Sequence, residues 1–151
     1  KYLEIKFGSK EFAQPMYDQM TEEAKKEGLN FNLNNIKKTP NTLFSHLLIK
    51  LSEQTNTQNE IKEKIYHSYF VEGQDIGDKK ILVDIAKKFN IKKNTIDDFL
   101  NSKNIEKINS YILVAKKKKI NGVPLFEIGK DFISGAQSSE SLENAIRNNL
   151  N

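Results

Sequence analysis

The sequence contains no cysteine among its 151 residues. This absence excludes disulfide bonds, zinc sites with thiolate ligands and a cysteine nucleophile within the chain. It also removes the usual clue to the redox compartment, because structural disulfides form in oxidising environments. Any thiol chemistry in which the chain takes part therefore needs a thiol from elsewhere.

Long apolar runs are also missing. No stretch approaches the ~20 apolar residues that a helix needs to span a bilayer, and the first residues, KYLE, show neither the apolar core nor the cleavage site of a signal peptide. We therefore expect a cytoplasmic protein without a membrane partner. The chain starts at Lys1 rather than Met, which leaves open a trimmed product or a piece of a longer protein.

The excess of charge of one sign is small. Lys and Arg number 24 and Asp and Glu 20, so the formal net charge is +4, and the charges are interspersed along the chain. Nucleic-acid-binding proteins instead concentrate basic residues on one face or arm, so we expect no nucleic-acid partner. The rival hypothesis, a small basic protein that binds nucleic acid, predicts an affinity that falls steeply with salt.

A helical pattern occupies most of the chain. Apolar residues, 37% of the total, recur at three- and four-residue spacings that are typical of amphipathic helices. Predicted helices cover residues 9–26, 42–51, 60–71, 78–89, 95–100 and 105–118. Gly28 is predicted to end the first helix, whose inward stripe consists of Phe12, Met16, Met20 and Ala24. Alternation in residues 29–33 predicts a short extended piece.

The period changes after residue 118. Residues 125–128 and 132–134 predict two short strands, joined by a three-residue connection that contains Gly129. Ser138 or Ser139 is predicted to cap a last helix, whose buried face consists of Leu142, Ala145, Ile146 and Leu150. Because a two-stranded hairpin is marginal in water, these strands need further strands or a helical layer against them.

Three groups of segments, in order along the chain, carry a family resemblance. They are residues 2–3, 6–9, 28–31 and 40–42 with His46 four positions later; then residues 69–78 (YFVEGQDIGD); and finally residues 122–126 (GVPLF) with 135–137 (GAQ). Together they resemble FrnE-like members of the DsbA family of thioredoxin-fold oxidoreductases. Relatives of that group include 2-hydroxychromene-2-carboxylate isomerases and kappa-class glutathione transferases.

The resemblance implies an α+β, mostly helical fold. Residues 1–118 would form a helical insertion domain, and residues 119–151 would supply the C-terminal β-hairpin and helix of a thioredoxin fold. Family members carry a strand, a Cys-x-x-Cys helix and a second strand before these segments, and none of these precedes Lys1. We therefore expect a fragment that has no catalytic residue of its own.

The resemblance also implies a substrate-binding set of Gly122, Val123, Pro124 and Gln137. An X-Pro bond gives up its trans preference for only ~0.5–1 kcal/mol, and the family match favours a cis bond before Pro124 over a trans proline that merely starts a strand. In relatives the backbone of the residue before this proline pairs with the substrate as a strand does. Val123 would take that role here.

Other candidate ligands and bases have simpler interpretations. Glutathione-using relatives tend to carry a Ser-Asp pair where this chain has Gly135, Ala136 and Gln137, and Ala136 has no polar group. The resemblance therefore argues against glutathione, and we expect no cofactor. His46 has no His, Asp or Glu at helical ligand spacing and is expected to be structural, and the same expectation holds for His67 on its amphipathic helix. Asp75 lacks the spacing of a calcium loop and Asp78 is expected to cap a helix, so no metal site is predicted. Lysines 116–119 are expected to be a solvated helix end.

The favoured hypothesis is a fragment of a thiol-disulfide oxidoreductase whose partner is a thiol- or disulfide-containing protein or peptide. A cysteine-free thioredoxin-like binding or scaffold module, and a glutathione-dependent isomerase or transferase relative, remain as alternatives. The open hairpin edge predicts either a homodimer that joins hairpins edge to edge or an N-terminal segment that covers the edge.

The missing thiol gives a direct prediction for the isolated chain. We expect no catalysis of insulin reduction above the rate with buffer alone at the same dithiothreitol concentration, because no thiolate is present to attack a disulfide. The measurement is the turbidity of precipitating insulin chains over time. Turnover that rises with the concentration of this chain would contradict the prediction.

Overall fold

The computed structural model describes residues 8–100 and 102–150 of the chain. It divides into two compact units, one ending at Ile108 and one beginning at Asn109. The helices are α1 (Lys10–Lys26), α2 (Leu43–Leu51), α3 (Gln58–Phe70), α4 (Lys79–Lys87), α5 (Lys93–Phe99), α6 (Ser102–Lys117) and α7 (Ser139–Asn149), and the strands are β1 (Leu125–Ile128) and β2 (Asp131–Ser134). Within the described ranges, no helix has the length and apolarity to cross a membrane.

The core of the first unit lies among α2, α3, α4 and α5. Leu48, Ile61 and Leu82 are each at most 1% exposed, and their neighbours on the predicted inward faces are buried with them. Each of these side chains stabilises the unit by roughly 1.5–3 kcal/mol relative to an exposed position. The helical spacing in residues 42–100 therefore predicted these helices.

The first helix ends where the sequence predicts, but only part of its predicted apolar stripe is buried. Gly28 has a φ of +74°, and the N–H of Leu29 donates to the carbonyl of Ala24 at 2.8 Å, which closes the helix end. The buried residues are Ala13 and Ala24, eleven positions or about three turns apart, whereas Met16 and Met20 are 37% and 47% exposed. The side chain of Phe12 lies outside the described residues.

The segment after Gly28 differs from the predicted extended piece. No strand is present at residues 29–33, and Leu33–Asn35 forms a 3-10 turn with Leu33 buried. Apolar and polar residues alternate there because Phe31 and Leu33 face the helices, which needs no partner strand. The alternation therefore predicted the burial of Leu33 but not the exposure of Leu29, which is 50%, and the segment contains a 3-10 turn where an extended piece was predicted.

Two glycine-containing loops interlock beside this segment. The N–H of Asn32 donates to the carbonyl of Phe70 at 2.7 Å, and the Ser45 hydroxyl donates to the carbonyl of Ile76 at 2.7 Å inside the core. A Cβ on Gly73, which has a φ of +68°, would lie 2.7 Å from the backbone oxygen of Asn35. Glycine is required at this position by both conformation and space.

The second unit is built on a hairpin. β1 and β2 pair antiparallel from Leu125 opposite Ser134 to Ile128 opposite Asp131, so the connection is two residues long rather than the predicted three. Gly129 begins the turn with a φ of +59°, as the first central position of a type II′ turn requires. Asp131 is therefore a strand residue instead of a turn residue.

The last helix is capped as predicted, but its apolar face is not buried. The Ser138 hydroxyl accepts from the N–H of Ser141 at 3.2 Å. Ile146 and Leu150 are 48% and 79% exposed, and no described residue from Asn109 onward is buried. A two-stranded sheet is too narrow to cover a helix face of four apolar residues.

Two glycines with the same unusual conformation give a matched test of the interlocked loops. Gly28→Ala meets no atom within 4 Å at a φ of +74°, so it should lower the free energy of unfolding by only about 1–2 kcal/mol. Gly73→Ala should lower it by about 3 kcal/mol or more, because the overlap with Asn35 adds to that conformational cost. Urea unfolding measures both, and equal losses would contradict the interlocking of the loops.

Candidate functional site

The candidate site begins at the loop between α6 and β1. α6 ends at Lys117, and Lys119, two residues later, lies in the left-handed region at a φ of 55°. The N–H of Ile120 donates back to the carbonyl of Ala115 at 3.1 Å. Gly122, Val123 and Pro124 follow, all exposed, and the Val123–Pro124 peptide bond is cis. The Val123 side chain is 87% exposed and packs against little.

The hairpin register shows which backbone groups of this region are engaged. The N–H of Gly135 donates to the carbonyl of Pro124 at 2.9 Å, which places Pro124 on the bonded side of β1. Because hydrogen-bonded and non-bonded pairs alternate along antiparallel strands, the N–H and C=O of Leu125 and Glu127 point away from β2. Val123 makes no backbone hydrogen bond to any residue in the described ranges.

Gln137 lies at the same end of the hairpin as this loop. Its side-chain amide donates to the carbonyl of Ser134 at 3.1 Å, and Ser134 pairs with Leu125, the residue after Pro124. The Gln137 Oε1 also accepts from the Ser141 hydroxyl at 3.4 Å. The structure therefore brings the four residues of the predicted set to one end of the hairpin, with the amide of Gln137 bracing the turn into α7.

The side chains of this loop are chemically unreactive. Gly122, Val123 and Pro124 carry no titratable or nucleophilic side chain, and the chain has no cysteine. No group of three metal-binding side chains occurs in the described part of the chain. The loop exposes backbone N–H and C=O groups, which are the groups that form hydrogen bonds when an extended peptide is added to a sheet edge.

The other candidate residues named from the sequence cap a helix or lie on the surface. The Asp78 carboxylate accepts from the N–H of Lys80 at 2.8 Å and caps α4, which confirms that prediction. His46 is exposed and its side chain has no hydrogen-bond partner among the described residues. Lys118, beyond the end of α6, is 3.3 Å from the Glu127 carboxylate, so the lysine run is a helix end on the surface.

Two groups of charged side chains form ion pairs that the sequence pattern did not predict. Glu72 accepts from Lys64 at 2.7 Å and from His67 at 2.9 Å, and the hydrogen bond from Lys64 holds the pKa of Glu72 below its usual value. Lys38 and Asp75 are 2.6 Å apart although 37 positions separate them in sequence. Spacing reveals pairs within one helix, but no periodicity reveals a partner that lies across two loops.

Comparison with known proteins gives the family. Residues 4–147 match the sequence profile of the DSBA-like thioredoxin domain. The chain belongs to this family. Its mostly helical α+β structure, with the small antiparallel hairpin and the helix after it, is accordingly of the DSBA-like thioredoxin type.

One relative of this DSBA-like chain is Uncharacterized protein YwbO of Bacillus subtilis (strain 168). The two are 26% identical over 125 residues, a match that covers 82% of this chain and 62% of YwbO. The chain thus spans less than two thirds of the length of this curated relative. The residues of the resemblance at 28–46, 69–78 and 122–137 all lie within the range that matches the DSBA-like family.

The loop that contains Asp75 should make stability depend on pH. The hydrogen bond from Lys38 lowers the pKa of Asp75, so this stabilisation is present above the unfolded pKa of about 3.9 and is lost as the pH falls through the lower folded value. Asp75→Asn retains the acceptor for the Gly77 N–H and removes the charge.

We therefore expect the free energy of unfolding to fall less in Asp75→Asn than in the wild type as the pH drops from about 5 to about 3. Lys38→Gln leaves the carboxylate without its cation, so it should also reduce the change in the free energy of unfolding over this pH interval. Urea unfolding at several pH values measures the slopes. A slope unchanged in both variants would show that this pair contributes nothing to the pH dependence.

Proposed function

We propose that this chain forms the helical insertion and substrate loop of a DsbA-like thiol-disulfide oxidoreductase whose reactive cysteine lies outside these 151 residues. The exposed, unpaired backbone of Val123 at the head of β1 is the observation that carries this proposal. Membership of the DSBA-like family supports it. The substrate would be a thiol- or disulfide-containing protein or peptide.

In the proposed reaction, the reactive cysteine and the Val123 loop have different roles. A low-pKa thiolate attacks one sulfur of the substrate disulfide, and the other sulfur leaves as a thiolate, so electrons and atoms balance in the mixed disulfide. The Val123 backbone pairs with the substrate segment beside the attacked sulfur and holds it in line. Gln137 keeps the loop end of the hairpin in place through Ser134.

Two other functions predict different measurements. A cysteine-free binding module would retain peptide affinity with no redox partner, and a glutathione-dependent relative would need a polar pair where Ala136 stands. The N-terminal end of α7 is occupied by its own cap, Ser138, which favours the peptide function over glutathione. Homodimerisation through the hairpin edge and a cytoplasmic location stay predictions.

The nucleotide sequence that flanks the coding region separates the oxidoreductase from the binding module. We expect the same reading frame to encode a Cys-x-x-Cys motif between two strand patterns. A frame closed by stop codons on both sides, with no cysteine, would favour the binding module.

In the cysteine-containing protein, Val123→Pro and Val123→Ala form a matched pair. Val123→Pro removes the N–H and should lower kcat/KM for a peptide disulfide by up to about tenfold, the loss of one backbone hydrogen bond. Val123→Ala keeps the N–H and should change kcat/KM little, because the wild-type side chain is 87% exposed. A larger loss in Val123→Ala than in Val123→Pro would refute the backbone role.

A further inference from the structure

A cleft of about 330 Å³ lies in the helical unit, between the C-terminal part of α1 and the residue that follows α3. Lys25 on α1, Leu29, Asn30, Phe31 and Asn32 after it, and Val71 beyond α3 line this cleft. Its volume is at the lower end of the roughly 300–1,000 Å³ that ligand sites occupy. Nothing in the proposed redox reaction uses it.

The floor of the cleft is held in place by stacked aromatic rings. Phe31 stacks on Phe70 with ring centroids 4.6 Å apart and an interplanar angle of 14°. Tyr69 packs edge-on against the same Phe70 ring at 5.0 Å, and the hydrogen bond from Asn32 to Phe70 ties the two segments together. A ligand that settles on Phe31 therefore meets a surface that is already ordered, which lowers the entropic cost of binding.

The walls of the cleft combine apolar surface with polar groups that lack partners. Leu29 is 50% exposed although its backbone N–H is bonded to Ala24. The side-chain amides of Asn30 and Asn32 have no hydrogen bond to a described residue, and each offers donors and an acceptor.

The charge of the cleft comes from one lysine. Lys25 has no carboxylate within ion-pair distance in the part of the chain that the structure describes, whereas the next residue, Lys26, is 2.6 Å from Glu23. Among the described residues, the lysine at the cleft therefore has no ion-pair partner, whereas the lysine just outside it has one. An anionic group on a ligand would find an unpaired cation beside an apolar floor.

We propose that this cleft binds an extended polypeptide segment in which an acidic residue stands next to a large apolar one. The apolar side chain lies on Phe31 between Leu29 and Val71, and the carboxylate pairs with Lys25. The amides of Asn30 and Asn32 supply donors and acceptors for the peptide backbone. The inference rests on the proposed function, since an oxidoreductase of proteins holds an extended chain.

Fluorescence anisotropy on the 151-residue chain tests this site without any thiol. The probes are three fluorescein-labelled octapeptides of serine and glycine that carry a central leucine–glutamate, leucine–lysine or serine–glutamate pair. We expect the leucine–glutamate peptide to bind at least about tenfold more tightly than either of the others. Only this peptide places an apolar side chain on Phe31 and a carboxylate beside Lys25. The preference for glutamate over lysine should shrink with added salt.

Lys25→Glu and Lys26→Glu change the charge of the chain by the same amount at adjacent positions. Lys25→Glu should weaken the leucine–glutamate peptide by about tenfold or more and favour the leucine–lysine peptide, whereas Lys26→Glu should leave both affinities nearly unchanged. Leu29→Ser should weaken both leucine peptides. Because Leu29 is half exposed, this variant keeps its fold, which circular dichroism checks.

Three results would overturn the proposal. They are equal affinities for the three peptides, equal effects of the two lysine variants, and no anisotropy change up to about 1 mM chain, the limit of weak binding. Such results would leave the oxidoreductase proposal standing, because that rests on turnover by the cysteine-containing protein and on the Val123 variants. Loss of turnover in Val123→Pro with peptide binding intact would separate the two in the opposite direction.

Discussion

Burial of the α2–α3–α4 interface is the constraint on which the rest of the helical unit depends. Leu48, Ile61 and Leu82 lie at its centre and are almost fully removed from water. Since the three helices fix one another, the loops that leave their ends have defined positions, and loop 73–77 meets the segment 32–41 in contacts that tolerate only glycine at residue 73. The open cleft on Phe31 exists because Phe70 is held at the end of a buried helix.

The sequence predicted much of this unit because its helices are amphipathic and flanked by capping residues. Helices from Leu43 to Phe99 have nearly the predicted bounds, and Asp78 caps α4 as expected. Of the predicted stripe on α1, Ala24 is buried whereas Met16 and Met20 are not, because a stripe at four-residue spacing shows that a helix has an apolar side without showing which of its residues contact a partner. No periodic pattern in the sequence could predict the contact of Lys38 with Asp75, since that contact depends on how two loops meet.

The candidate site was predicted in a different way. Nothing in the chemistry of Gly122, Val123 and Pro124 marks them, since their side chains neither ionise nor bind metals, and only the family resemblance pointed there. The structure adds the register of the hairpin. The carbonyl of Pro124 accepts from the N–H of Gly135, so the backbone N–H and C=O of the next residue, Leu125, point away from β2. Sites made of backbone atoms lack the side-chain signature by which catalytic residues are recognised, whereas their geometry follows from strand alternation.

The absence of buried side chains among the described residues from Asn109 onward has a consequence for the time scale on which this chain opens. Amide hydrogens in α2 and α3 are enclosed by the core, so we expect them to exchange with solvent only when the whole unit unfolds. Those of β1 and β2 are protected by the hydrogen bonds of a two-stranded ladder, and the cooperative opening of this ladder exposes little apolar surface. A single polypeptide therefore contains a slowly exchanging helical core and a hairpin whose amides report only its own local opening.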